Sequence, residues 1–259
     1  MSESSHPARE AAKPVEQYAL RLGDDALVLS HRLTEWLTRA PDLEEEVALA
    51  NIALDLLGQA RFLLTAAGQS AGRDEDDLTY RRTDREYRNA LIAELPNGDF
   101  AHTVVRLLFF SAYQWVLYRE LENSADPDLA GFAGKAVHEV GFHRQYAAGW
   151  VIRLGDGTEE SHDRASTAVA ELWPYTAELF AADELIEGLV AEGVAPDPVL
   201  LQGRWSELVG AILAEATLGV APSATWRPGG GRAGLHTEAL SFLLAEMQSV
   251  HRAYPGASW

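Results

Sequence analysis

The chain has 259 residues, and its 39 Asp and Glu residues against 21 Lys and Arg residues give a formal net charge of −18 at pH 7. This charge excludes a DNA-binding protein that relies on a broad basic surface, and it disfavours contact with anionic membranes. Hydrophobic residues make up 47% of the sequence, which is enough for a large core. Because the chain has no cysteine, disulfides, zinc fingers, iron–sulfur clusters and thiol catalysis are excluded.

The N-terminal segment and the apolar runs bear on where the protein resides. Residues 1–14 are mostly Ser, Glu, Ala and Pro without an apolar stretch, which predicts a disordered tail rather than a signal peptide. The most apolar run, 107–118, contains Ser111 and Gln114 and is too short to span a bilayer. We therefore expect a cytoplasmic protein with neither a membrane nor a nucleic acid among its partners.

Apolar residues recur at helical spacing along nearly the whole chain, and no segment alternates with the period of a strand. Four long helices are predicted at 15–40, from Asp42 to about 68, at 100–123 behind the cap Asp99, and at 126–154. A charged connector (73–85) and a short helix (86–95) separate the second from the third. Further helices are predicted at 161–182, 184–192, 198–218 and 236–252. The pattern indicates an all-α fold in which a four-helix bundle (about 15–155) and additional C-terminal helices (about 160–255) form one domain, 15–259.

Bundles of four long helices often hold two iron ions, using about four carboxylates and a Glu-x-x-His pair on each of two helices. No Glu-x-x-His pair occurs within 15–155. On the second helix, Asn51, Asp55 and Gln59 form a polar strip at i, i+4 and i+8, in which only Asp55 is a good iron ligand. The bundle therefore lacks the usual pattern for a di-iron site.

The fourth helix contributes His138, Glu139 and His143. The two histidines are five residues apart, about 140° around a helix, so they cannot chelate one ion, whereas Glu139 and His143 share a face. Two interpretations are open. Asp55, Glu139 and His143, with His31 and Glu35 of the first helix, could form an irregular metal site. The alternative, which we favour, is a buried hydrogen-bonded cluster that needs no metal.

Three other features are weaker candidates. The glycine loop 229–231 lacks a Walker lysine and a preceding strand, which favours a turn over a phosphate site. Arg81, Arg82, Arg85 and Arg88 could bind a phosphorylated ligand such as coenzyme A or an acidic partner, although a solvated face paired with Asp77, Asp84 and Glu86 is the simpler interpretation. The aromatic residues of the third helix are too dense for one bundle face and predict a second layer, a partner surface or a core: Phe109, Phe110, Tyr113, Trp115 and Tyr118.

Four groups of residues together resemble one protein family. They are YALRLGDD at 18–25, LANIALDLLGQAR at 49–61, PNGDF at 96–100, and GLHTE, LAEMQ and PGASW at 234–238, 244–248 and 255–259. The sequence is similar to the ferritin-like, non-catalytic (PaaC-type) subunit of bacterial phenylacetyl-CoA epoxidase, and the similarity spans nearly the whole chain. It implies a ferritin-like bundle.

The resemblance also implies a role. The family's enzyme is a multicomponent monooxygenase of aerobic phenylacetate catabolism, which epoxidises the ring of phenylacetyl-CoA with O2 and with NADPH electrons delivered by a reductase. Its di-iron centre lies in a homologous catalytic subunit, which this chain would pair with tightly and stabilise. The chain itself would have no catalytic residue, cofactor or metal, and the isolated chain could form a homodimer.

The degenerate metal-site positions would be Asp55, Leu56, Gln59, Glu139 and His143, with Leu56 and Gln59 at the Glu-x-x-His positions of the iron-binding relative. The alternative is a stand-alone ferritin-like di-metal oxidase or oxygenase with an atypical ligand set.

Overall fold

The computed structural model describes residues 12–219 and 226–257, and these contain α-helices, short 3-10 helices and no strand. The α-helices are α1 (Pro14–Thr34), α2 (Leu43–Gly68), α3 (Glu75–Tyr80), α4 (Leu91–Glu94), α5 (Phe100–Leu121), α6 (Pro127–Gly155), α7 (Glu159–Leu172), α8 (Glu184–Ala191), α9 (Pro198–Glu215), α10 (Glu238–Met247) and α11 (Ser249–Ala253). The 3-10 helices are Asp84–Glu86, Trp173–Phe180 and Gly231–Ala233. Most of the predicted tail, 1–14, lies outside the described residues.

The starts of the long helices are fixed locally, as predicted. The carboxylates of Asp42, Asp99 and Asp126 each accept a hydrogen bond from a backbone amide two or three residues later, at the N-termini of α2, α5 and α6. Such caps satisfy amides that have no partner within the helix, and their charge suits the positive end of the helix dipole. The sequence therefore determines where these helices begin.

The first helix is shorter than predicted, because it ends at Thr34 rather than at 40. Thr38 has a left-handed φ of 70°, which a continuing helix does not allow. The indole of Trp36 turns towards α5, where its Nε1 donates to Thr103 Oγ1 at 2.9 Å. This contact with another helix favours the turn over a longer α1.

The segment predicted as a helix at 86–95 is α-helical only at Leu91–Glu94, and its first residue ends the 3-10 helix Asp84–Glu86. Its amides are bonded to distant carboxylates instead: Arg88 N donates to Asp24 at 2.8 Å, and Ala90 N donates to Asp25 at 2.7 Å.

Three further predictions are corrected. The connector 73–85 contains α3, the helix at 161–182 changes to 3-10 geometry from Trp173, and the helix at 236–252 is broken at Gln248.

The bundle consists of two helix pairs that face one another. Helix α1 packs along α2, and α5 packs along α6. A second layer covers α5: α7 and α9 pack on it, and the 3-10 helix Trp173–Phe180 contacts it through the ring pairs Phe109–Trp173 and Tyr113–Phe180. Trp205 Nε1 of α9 donates to Phe109 O at 2.9 Å. The aromatic rings of α5 therefore contact a second layer, as one of the interpretations expected.

Among the described residues, α2 is the one helix long and apolar enough to cross a membrane by length and composition. Within the fold, 44% of its most apolar window is buried, largely against α1. Several of its apolar side chains remain exposed, among them Leu43, Val47 and Leu54.

Candidate functional site

Helices α2, α5 and α6 bring six polar side chains together inside the bundle, which we call the polar cluster. Its members are Asp55, Gln59, Gln114, Tyr118, Glu139 and His143. His143 Nε2 donates to Asp55 Oδ2 at 3.0 Å, and Gln59 Nε2 donates to Glu139 Oε2 at 2.9 Å. Gln114 Nε2 and the Tyr118 hydroxyl both donate to Gln59 Oε1 at 3.3 Å. The predicted meeting of Asp55, Glu139 and His143 is therefore found, while the two α5 residues were not predicted.

Burial disfavours charge within the polar cluster. Burial lowers the pKa of His143, and the hydrogen bond and charge of Asp55 only partly offset this effect. Burial also raises the pKa of Glu139; the hydrogen bond from Gln59 opposes the rise and the charge of Asp55 adds to it. Because Nε2 of His143 donates to a carboxylate, its Nδ1 carries the lone pair, and this buried atom has no hydrogen-bond partner among the described residues.

The donor set of the polar cluster does not fit a di-iron centre. Such a centre needs about four carboxylates and two imidazoles, whereas the cluster offers two carboxylates and one imidazole. Leu56 is fully buried in the hydrophobic core, and an aliphatic side chain cannot bind a metal. Within 12–219 and 226–257, no group of three or more His, Asp or Glu side chains could hold a metal ion. The amide of Gln59, which the family resemblance places at a ligand position, is hydrogen-bonded to protein atoms through both its nitrogen and its oxygen.

The structure does not join His31 and Glu35 to the polar cluster. His31 lies in a separate groove beside Tyr80 and Met247, where burial lowers its pKa. The carboxylate of Glu35 forms an ion pair with Arg32 at 2.6 Å. The five-residue metal site considered from the sequence is thus not assembled.

The histidines of α6 lie on different faces, as their spacing predicts: His138 is exposed and His143 is buried. The Glu-x-x-His spacing also occurs beyond the bundle, at Glu159 and His162 of α7. There Glu159 is exposed and His162 Nδ1 donates to Gly155 O at 2.7 Å, so this pair does not contribute to the polar cluster. Another such pair, Glu3 and His6, falls outside the described residues.

A groove of about 470 Å³ between α2 and α6 leads to the polar cluster. Its walls include Leu54 and the stacked rings of Phe62 and Phe132, whose centroids are 5.1 Å apart. Asp55 and Glu139 line it from the cluster side. Two hydrogen-bonded carboxyl groups are therefore reachable from solvent, without the additional ligands that oxygen chemistry at a di-metal centre requires.

Comparison with known proteins places the chain in a family. The family model described as "Phenylacetic acid catabolic protein", which covers the PaaA and PaaC proteins, matches residues 1–259. The chain belongs to this family. It is 48% identical over 243 residues to a protein of Escherichia coli (strain K12) that is named as a subunit of 1,2-phenylacetyl-CoA epoxidase, and the match covers 93% of this chain and 98% of that protein. The family resemblance and the all-α, ferritin-like fold are confirmed, and so is the link to phenylacetate catabolism.

In this family member, the glycine-rich loop is a turn around an internal carboxylate. The amides of Gly230 and Gly231 both donate to Glu178 Oε1 at 2.8 Å, and Leu91 N donates to Oε2 at 2.7 Å. A Cβ on Gly231 would lie 2.2 Å from Asn89 O, so a side chain has no room there. The prediction of a turn is confirmed. The role of Glu178 has no local sequence signal, because its partners are distant in the chain.

The arginine cluster does not present four charges to one ligand. Arg81 pairs with Asp77 at 2.7 Å, as the solvated-face interpretation predicts. Arg82, in contrast, is buried and pairs with Asp24, which corrects its placement on the surface. Arg88 donates through Nη1 to the carbonyls of Arg85 and Tyr87. These contacts remove the geometric basis for a coenzyme A site at this cluster.

Proposed function

We propose that this chain is the non-catalytic subunit of a multicomponent phenylacetyl-CoA epoxidase, which stabilises and positions a homologous catalytic subunit that holds the di-iron centre. The substitution of the metal-ligand positions carries the proposal: Leu56 is part of the core, and Gln59 is satisfied by Glu139, Gln114 and Tyr118. Relatedness to a protein named as one subunit of an epoxidase supports an assembly with other subunits.

A subunit without a metal site can still serve the reaction. Amides and apolar residues at ligand positions avoid the cost of burying unpaired carboxylates, so the bundle is stable without metal. A rigid bundle can then hold the partner's helices at fixed angles, where small displacements would lower the rate of the reaction. The proposal includes O2 and NADPH electrons delivered through a reductase, a cytoplasmic location, and phenylacetyl-CoA as the substrate of the whole assembly.

Metal content and co-purification test the proposal. The purified chain, expressed in iron-rich medium, is expected to contain less than about 0.1 iron per chain, because the donor set is incomplete. When expressed together with the di-iron subunit, it is expected to co-purify in a fixed ratio and to raise that subunit's yield and epoxidase activity. Close to two irons in the isolated chain, lost in Asp55→Ala and His143→Ala, would instead support the stand-alone oxidase.

Glu139→Ala separates a structural role of the polar cluster from a metal-binding role. Removing the carboxylate leaves the Gln59 amide without its acceptor, so the free energy of unfolding is expected to fall by about 1–2 kcal/mol. The iron content should remain that of the unsubstituted chain. A loss of bound iron on this substitution would contradict the structural role.

A further inference from the structure

The groove between α5 and α6 is distinct from the polar cluster and holds an unusual group of side chains. Trp115 lines it, with the Arg144 guanidinium 4.3 Å and the Arg119 guanidinium 4.9 Å from the centre of the Trp115 ring. The groove has a volume of about 510 Å³, and Phe142 stands at its edge with 74% of its surface exposed. We call this group the arginine–tryptophan groove.

The two arginines lack a carboxylate partner among the described residues, although the chain carries 39 acidic residues. Of the other described arginines, eight form ion pairs and eight do not. Arg119 and Arg144 differ from the rest because both guanidinium groups lie over one ring, and because Arg144 Nε is buried without a hydrogen-bond partner among the described residues. Glu122 also borders the groove, but it forms no ion pair with either arginine among the described residues. Burial and the charge of Arg119 lower the pKa of Arg144, so the two cations are held close together at an electrostatic cost.

Aromatic and arginine side chains at one place are typical of the centres of protein interfaces, where they supply much of the binding energy. An occupant that fits this groove would bring a carboxylate to the arginine pair and an apolar side chain to Phe142. A groove between two helices packed side by side suits a helix of the partner, which can carry both groups on one face.

Resting on the proposed function, we propose that the di-iron subunit docks in the arginine–tryptophan groove, through a helix that carries a carboxylate beside an apolar side chain. A second copy of this chain suits the groove less well. If the two-fold axis of a symmetric contact passed through the groove, Arg119 and Arg144 would face the same unpaired charges of the second copy. Two chains with a net charge of −18 also repel each other.

Affinity for the purified di-iron subunit tests the inference. The double variant Arg119→Glu/Arg144→Glu and the single variant Phe142→Asp are each expected to weaken binding about 100-fold, as substitutions at interface centres do. The wild-type complex is expected to weaken in about 0.5 M NaCl, because charge pairs across an interface are screened by salt. Matched controls, Arg85→Glu and Val199→Asp, change the same residue classes at exposed sites elsewhere and should bind as the wild type does.

The outcomes are distinguishable. Groove variants that bind with wild-type affinity overturn this inference, and so do variants that lose only self-association of the isolated chain. If the wild-type chain itself does not bind the di-iron subunit, the proposed function fails, and this inference fails with it. Circular dichroism and thermal unfolding check that each variant is folded. If the arginine double variant does not fold, Phe142→Asp alone tests the inference. The Phe142 side chain is largely exposed to solvent, so its replacement is not expected to disturb the fold.

Discussion

Asp24 and Arg82 form an ion pair in the interior of the protein, with side chains that are 0% and 2% exposed. Arg82 Nη1 lies 2.9 Å from Asp24 Oδ2, and the same carboxylate oxygen accepts a hydrogen bond from Arg88 N at 2.8 Å. Through this ion pair and this hydrogen bond, Asp24 holds the segment after α3 against the middle of α1.

Breaking this pair is expected to be costly. Asp24→Asn should lower the free energy of unfolding by about 3 kcal/mol, because it leaves the buried charge of Arg82 uncompensated. Urea denaturation measures the change. The control is Glu160→Gln, which breaks the exposed pair with Arg164 on α7, where the two side chains are 75% and 56% exposed; its cost should be under about 1 kcal/mol. Similar losses in both variants would contradict the assigned importance of burial.

Gly68, the last residue of α2, is required by a close backbone approach. A Cβ at this position would lie 1.9 Å from Arg73 O. Gly68→Ala is therefore expected to cost about 1–3 kcal/mol of stability through displacement of the backbone. Gly58, in the middle of the same helix, has nothing within 4 Å of its added Cβ, so Gly58→Ala should gain up to about 1 kcal/mol. Thermal unfolding of the two variants compares them, and a loss at both positions would refute the argument.

Glu178 is expected to control the order of the glycine-rich loop. In Glu178→Gln, the side-chain amide can serve only some of the three backbone donors that the carboxylate now accepts, and we expect a loss of about 1.5–3 kcal/mol. Hydrogen exchange of residues 229–231 and 91 should become faster in this variant. The exposed Glu187→Gln on α8 is the control and should leave their exchange unchanged. Unchanged exchange in Glu178→Gln would show that the loop does not depend on this carboxylate.

His236 makes stability depend on pH. Its Nδ1 donates to Glu94 Oε2 at 2.7 Å and its Nε2 to Tyr87 O at 3.1 Å, so both nitrogens face acceptors. Burial opposes the charged ring, but the hydrogen bond and charge of Glu94 outweigh this and raise the pKa of His236. The folded state thus binds a proton more tightly than the unfolded state, and the stability it adds is present below about pH 6.5 and lost as pH rises through the raised pKa.

The measurement is urea denaturation of the wild type and of His236→Gln between about pH 5.5 and 9. The stability difference between the two proteins is expected to be largest at the acidic end and to shrink as pH rises. His138→Gln, at an exposed position of α6, should follow the wild-type profile. A difference that grows with pH would reverse the assigned direction of the pKa shift.

The sequence predicted most of what is decided within a few residues. The caps Asp42, Asp99 and Asp126 lie next to the amides that they bind, so the starts of α2, α5 and α6 could be placed in advance. Helical periodicity gave the all-α class, and the absence of a Glu-x-x-His pair within 15–155 already predicted that the bundle lacks the usual di-iron pattern. Each of these signals lies within a few neighbouring residues or on one face of a single helix.

Only the tertiary structure decided the features that depend on distant partners. The segment before α4 is extended because Asp24 and Asp25 of α1 accept hydrogen bonds from its backbone amides. Arg82 is buried because it forms an ion pair with Asp24. The polar cluster is completed by Gln114 and Tyr118, which carry no metal-site pattern of their own. By itself the sequence determined most of the helices and the absence of a Glu-x-x-His pair within 15–155. The fold determined which polar groups meet, because the free energy of burying each one depends on a partner far away in the chain.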